Sequence, residues 1–94
     1  MKVKRIIWLP EFEDKLLWKH NVLAIEVEEI LFGKPRIYFV EHGHAPNEDL
    51  YAAHGRTEEG RYLIVFYVYK EDGAALIISA RDMDHKEKKR YGRK

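Results

Sequence analysis

There is no cysteine among the 94 residues, an absence that removes a disulfide framework, a thiolate zinc site and a cysteine nucleophile together. No stretch approaches the roughly 18 consecutive apolar residues that read as a membrane span. The opening Met1-Lys2-Val3-Lys4-Arg5 has too short an apolar run behind it for a signal peptide. Internal repeats and low-complexity segments are missing too. The expectation is a soluble, cytoplasmic chain that does not engage a membrane.

A hydrophobic content of 46%, with 13% aromatics, is enough for one small core without staples, so residues 1–94 read as a single domain. The net charge of +1 conceals an asymmetry. From Arg81 onward there are seven basic residues and three acids, a balance of +4; the first eighty residues hold ten and thirteen, a balance of −3. A chain polarised in this way presents a cationic end to nucleic acid, or else ends in a solvated charged helix.

Val3 to Trp8 has the apolar content of a short strand. Pro10 suits a helix first turn, where its missing N–H costs nothing, and Glu11, Glu13 and Asp14 complement the helix dipole there. Phe12 and Leu16 start an apolar stripe, and the helix is expected to stop near Lys19-His20-Asn21. A second helix carries Val27, Ile30 and Leu31 on one face and stops at Gly33 and Pro35, with no good N-cap residue at Leu23. Four strands follow: Arg36 to Val40, Leu50 to Arg56, Arg61 to Tyr69 and Ala74 to Ala80. A polar loop separates the first pair, Thr57-Glu58-Glu59-Gly60 turns the second, and Asp72-Gly73 turns the third. The near-continuous apolar run of the third strand points to a central position. Asp82 to Tyr91 reads as a short charged helix. The order β, α, α, β, β, β, β, α is an α+β layout: an antiparallel sheet of four to five strands, two N-terminal helices and a C-terminal one.

Arg56, Arg61 and Arg81 each sit where a strand begins or ends, a placement suited to an anionic repeating ligand, since guanidinium forks match phosphate oxygens. His42 and His44, with Glu41 or His54, have no third ligand at a recognisable spacing, so a mobile surface loop is the preferred reading and no metal or other cofactor is expected. Trp8 and Trp18 read as core or partner contacts. Tyr38, Phe39 and Tyr67 are open between core positions and a partner surface.

An ordered set of residues supports a more specific statement: Trp8, Lys19-His20 with Val22, Glu28-Glu29, Gly55-Arg56-Thr57 with Gly60-Arg61, Ile78-Ser79-Ala80-Arg81, and Glu87 with Arg90-Tyr91. From Trp8 to Tyr91 the chain resembles the BrnT family of bacterial and archaeal toxins, whose fold is similar to that of RelE-type ribonucleases. It departs from the family pattern at Asp82-Met83, where a second basic residue is common, and at Lys88, where arginine is common. The resemblance implies a type II toxin that cuts RNA without metal, blocks translation, and is held inactive by a cognate antitoxin. It further implies that the antitoxin carries a ribbon-helix-helix region, so that operator DNA is reached only through it.

RNA cleavage by internal transesterification needs a group to take the 2′-OH proton, positive charge around the phosphate, and a proton for the leaving 5′-oxygen. The expected catalytic set is His20 as base or acid, Arg56 and Arg81 as the clamp, and Tyr91 as proton donor or stacking ring. Lys19, Arg61, Lys88, Lys89 and Arg90 are expected to hold RNA, and Glu58 and Glu87 to orient an arginine or act as base. Each has a structural alternative. His20 complements a helix dipole, Arg56 and Arg61 pair with Glu58 and Glu59, and Glu87 with Tyr91 docks the last helix. A catalytically inactive module that keeps the toxin fold and pairs with an antitoxin for operon autoregulation is the rival function. A basic RNA-binding accessory domain is the third.

Overall fold

The computed structural model describes residues 1–92; Arg93 and Lys94 of the basic tail lie outside the described residues. The elements are β1 (Arg5–Ile7), α1 (Pro10–His20), α2 (Ala24–Phe32), β2 (Arg36–Glu41), β3 (Leu50–Arg56), β4 (Tyr62–Tyr69), β5 (Ala74–Asp82) and α3 (His85–Gly92). The architecture is α+β, and the element order follows the hydrophobic periodicity. Strands β2 to β5 form the antiparallel meander, and the sheet order is β1-β5-β4-β3-β2. One pairing departs from the all-antiparallel expectation. The short β1 lies parallel to β5, with Arg5 opposite Ala74 and Ile7 opposite Leu76, so the sheet is mixed and β4 and β5 are both interior. Nothing in three residues of strand propensity specifies the direction of that pairing. It follows from α1 and α2 crossing one face before the chain re-enters the sheet at its far edge.

The two N-terminal helices end where their sequences allow it. Asn21 takes a left-handed conformation (φ 53°) as the C-cap of α1, a state Asn tolerates better than most residues. At the weak N-terminus of α2, the Glu26 carboxylate accepts the Leu23 backbone N–H at 3.0 Å, supplying from inside the helix the partner that a Leu N-cap cannot. Val22, Val27, Ile30 and Leu31 then pack with Leu63, Val65, Tyr67 and Ile77 into the main core. Tyr67 is therefore a core residue, fully buried, whereas Phe39 is half exposed. Gly55 permits the closest approach of α2, since a Cβ there would lie 2.9 Å from Ile30.

β5 runs two residues beyond Ala80, because Leu63 pairs with Asp82, and the Met83 N–H donates to the Tyr62 carbonyl. The last helix accordingly starts at His85 rather than Asp82. Its start is closed reciprocally: the Glu87 N–H donates to Asp84 and the Asp84 N–H to Glu87, both at 2.8 Å, the geometry of a capping box. Among the described residues no helix is long and apolar enough to cross a membrane.

Candidate RNA-binding face

Strand alternation sorts β2 to β5 into two surfaces. One set, including Ala53, Leu63, Val65 and Ile77, meets the helices. The opposite set is not apolar. Cross-strand partners on that side read Arg36, His54, Ile64, Arg81 in one row and Tyr38, Ala52, Phe66, Ser79 in the next, with Arg56 beside Tyr62. Only a small cluster of Ala52, Ile64 and Met83, with Tyr62, Phe66 and Tyr91 against it, gives this side an apolar floor. Helix α3 lies across it without a single fully buried residue.

Cations and rings interleave over this floor. The Arg90 guanidinium stands 4.2 Å from the Tyr38 ring centre, Arg56 5.0 Å from Tyr62, Arg36 5.5 Å from Tyr91, Arg81 5.7 Å from Phe66, and the Lys88 ammonium 5.9 Å from Tyr62. Tyr91 also meets Tyr62 edge to face at 5.9 Å. Each contact lies within the distance at which a cation is attracted to a ring face.

Arg81 is held by both guanidinium ends to the two Glu87 oxygens, at 2.8 and 2.9 Å, and a further N–H donates to the Asp82 carbonyl. The bidentate pair holds the Glu87 carboxyl far below its ordinary range, down to about 2. Glu87 therefore does two things at once: it orients Arg81 and it closes the start of α3. His54 is nearly buried in the same row, its ring edge-on to Tyr38 at 4.7 Å. Burial lowers its pKa, and the positive charge of Arg90 lowers it further, so at neutral pH the imidazole is uncharged.

The structure thus brings together Arg56, Arg81, Glu87, Lys88, Arg90 and Tyr91 from the expected set. It adds Arg36, Tyr38, His54, Tyr62 and Phe66, which sequence reasoning did not assign to the site. The alternation Ala52, His54, Arg56 against Tyr51, Ala53, Gly55 was the signal for His54, since it places a histidine and an arginine on one strand face.

Lys19, His20 and Arg61 fall elsewhere. Asp82 alternates with Arg81 and turns its carboxylate toward Arg61, which donates to it from Nε at 2.8 Å and Nη2 at 3.0 Å. The remaining donors of Arg61 reach Glu26 at 3.0 Å, the Asn21 carbonyl at 2.6 Å and the His20 carbonyl at 2.9 Å. All five N–H groups of Arg61 are used inside the protein, with none left over for a phosphate. Its partners are Glu26 and Asp82 rather than Glu58 or Glu59. The His20 side chain lines a small cavity of about 230 Å³ between α1 and β5, with Phe12, Lys15, Leu16, Ile78 and Ser79, and Lys19 is exposed at the end of α1. The Glu58 N–H donates to the Glu29 carboxylate, and the Glu58 side chain and Lys89 are exposed.

His42 accompanies Asp49 at 3.3 Å in an exposed loop. Among the described residues no three His, Asp or Glu side chains gather closely enough to hold a metal ion. Trp8 packs against the main core, whereas Trp18 is 76% exposed.

Comparison with known proteins narrows the meaning of this face. No curated protein is similar enough in sequence to count as a relative. The crystal structure of the Brucella abortus ribonuclease toxin BrnT superposes with a TM-score of 0.64 at 17% identity, over 86% of this chain and 97% of that one, a likeness of fold. The sequence itself matches, over residues 8–87, the model of a family described as the ribonuclease toxin BrnT of type II toxin–antitoxin systems. That match takes in both helices of the core layer, strands β2 to β5 and Glu87, the anchor of α3. The chain belongs to the BrnT family of ribonuclease toxins.

Proposed function

We propose that the face between β2–β5 and α3 binds single-stranded RNA and cuts it by metal-independent transesterification, inhibiting translation until the cognate antitoxin neutralises the toxin. The observation that carries this reading is the interleaving of five cations with four aromatic rings on one side of the sheet. Guanidinium groups meet phosphates, while exposed ring faces stack on splayed bases. A cognate antitoxin follows from membership of a toxin–antitoxin family. In this reading it carries the ribbon-helix-helix region, operator DNA is contacted through it alone, and the pair acts in the cytoplasm.

The chemical roles divide as follows. Arg81, oriented by Glu87, and Arg56 supply the positive charge that a pentacoordinate phosphate demands, so a bound metal is not needed for that purpose. His54 is the neutral imidazole of the face, the protonation state a general base requires. Tyr38 and Arg90 cover it, so RNA must displace that stack to bring a 2′-OH within reach. Tyr91 is the proton donor to the departing 5′-oxygen. His20 and Lys19 lie outside this arrangement and take no part in the step.

The test is growth and total RNA integrity on induction of wild type and of folded Arg81→Ala, His54→Gln and Tyr91→Phe variants, with cleavage by purified protein followed in EDTA. RNA fragmentation that persists in EDTA and is lost in Arg81→Ala supports the proposal. Two observations favour the rival reading: Arg81 is already neutralised by Glu87, and His54 is covered. Intact RNA from folded wild-type protein that still binds an antitoxin would select the inactive, autoregulatory module.

A further inference from the structure

The two edges of the sheet are unequal. β1 has three residues, opening on Arg5 and preceded by Lys4, the short, charged form in which natural sheets usually leave an edge. β2 has six, Arg36-Ile37-Tyr38-Phe39-Val40-Glu41, with neither proline nor charge in its middle. Among the described residues no strand pairs with its outer side. Phe39 and Val40 are 50% and 43% exposed there. An edge of that length and composition is a template for another strand.

The order of residues along β2 states which strand fits. A bulge makes Phe39 and Glu41 oppose the adjacent residues Tyr51 and Leu50, so Val40 is the extra residue and Glu41 returns to the same side as Arg36 and Tyr38. β2 thus has five effective positions. Run antiparallel against a copy of itself about a two-fold axis at Tyr38, it sets Arg36 opposite Glu41, Ile37 opposite Phe39, and Tyr38 opposite Tyr38. Every directly opposed pair then lies on a common face, as antiparallel pairing requires. The charged pair at each end is of opposite sign, the favourable cross-strand combination. The apolar pair is matched in shape as well. Ile37 lines a cavity of about 300 Å³ beneath the edge, with Leu31, Phe32 and Pro35 among its walls, a volume at the lower end of pockets that accept small organic groups. The pairing puts the second copy's Phe39 ring at its mouth.

We propose that β2 is a self-complementary association edge, through which two copies of this chain join their sheets into one ten-stranded sheet about a two-fold axis at Tyr38. The axis passes through the candidate RNA face, so Tyr38 and Arg90 of the two copies meet across it, with each Arg36 paired to the other copy's Glu41. An RNA strand longer than one face would cross from copy to copy. The contact is one strand pair and two ring-in-cavity insertions, which places it among small, reversible interfaces.

The chain's lack of cysteine makes the register testable by cross-linking. Tyr38→Cys places a thiol on the axis, opposite its own copy and within the Cα separation a disulfide spans. Phe39→Cys opposes Ile37 instead and lacks a partner thiol. Under mild oxidation Tyr38→Cys is expected to give a covalent dimer and Phe39→Cys only monomer. Without cross-linking, sedimentation of wild-type protein from low micromolar to submillimolar concentration is expected to show a monomer–dimer equilibrium. Glu41→Arg, a change at an exposed position, weakens it at least about tenfold by placing like charges opposite each other. Adding Arg36→Glu to Glu41→Arg restores it. Unfolding midpoints of each variant establish that the monomers remain folded. A wild type that stays monomeric throughout overturns the proposal and leaves the edge to an extended segment of another protein. Equal cross-linking of the two cysteine variants, or no recovery in the doubly reversed variant, overturns the register.

Discussion

Arg61→Ala offers the sharpest separation between a residue that holds RNA and one that holds the fold. Arg61 joins the end of α1, the first turn of α2 and the end of β5 through a single guanidinium. The two carbonyls it caps, at His20 and Asn21, are groups that a helix end leaves unpaired. Losing each bond costs about 1 kcal/mol. Glu26, with a side chain only 18% exposed, loses its ionic partner but keeps the Leu23 N–H, a further cost of about 1 kcal/mol. Asp82, 59% exposed, rehydrates and adds little.

The sum is about 3 kcal/mol, which at this chain length lowers the unfolding midpoint by roughly 12–24 °C. Arg61→Lys keeps the charge but has no planar fork to reach five acceptors, so it recovers less than half of that loss. Thermal unfolding followed by circular dichroism reads both values. RNA cleavage by the variant, measured well below its midpoint and normalised to folded protein, is expected to stay within about threefold of wild type, a difference of under 1 kcal/mol in barrier. A midpoint unchanged to within a few degrees, together with a large loss of cleavage, would refute the assignment of Arg61 to structure.

Four other outcomes follow from the same geometry. Glu87 titrates near its ordinary 4.5 when unfolded and at about 2 when paired with Arg81, so its stabilisation is complete above that ordinary value and lost as pH falls toward about 2; with Arg81 40% exposed it amounts to about 1 kcal/mol, and Glu87→Gln flattens this segment of the stability–pH curve. His54, whose folded pKa lies below 6.5, has the opposite charge type but the same sign of effect: the unfolded chain takes up the proton first, so denaturant midpoints fall as pH drops below about 6.5, and His54→Gln removes that slope. Gly55→Val drives a side chain into Ile30 and costs about 1–3 kcal/mol by chemical unfolding. Arg56→Ala, which leaves the core untouched, weakens binding to single-stranded RNA and reduces the slope of log affinity against log salt by about 0.7 in a titration series.

How far the sequence carries depends on whether the governing interaction is local. The helix limits at Pro10, Asn21 and Gly33 and the turn at Gly60 (φ 96°) follow from caps and backbone conformations set within a few residues, and they were legible. The parallel seat of β1 was not, because it depends on chain crossing rather than on the three residues themselves. The site divided in the same way. Arg56, Arg81 and Glu87 stand out by sequence position alone, whereas Arg36 and His54 join Arg81 only through two successive strand registers. His20 does meet Arg61, but through its backbone carbonyl, as Asn21 does, at the end of a helix. Adjacency in a motif did not distinguish side-chain chemistry from main-chain capping.

The two faces of the sheet explain why the cations can stand so close together without undoing the fold. The helical face supplies the stabilising burial, with Leu63, Val65, Tyr67 and Ile77 completely enclosed, so the opposite face is under no requirement to be apolar. Its charges are instead moderated locally, each over a ring and one of them against Glu87. That leaves α3 attached mainly by polar and cation–ring contacts, which weaken in favour of RNA phosphates and bases more readily than a packed apolar seam would. A Glu87→Gln chain that keeps its core stability but shows faster amide exchange confined to α3, together with tighter RNA binding, is the expected consequence. Unchanged exchange in α3 would mean that the small Met83–Tyr91 cluster, and not the Arg81 pair, holds the helix in place.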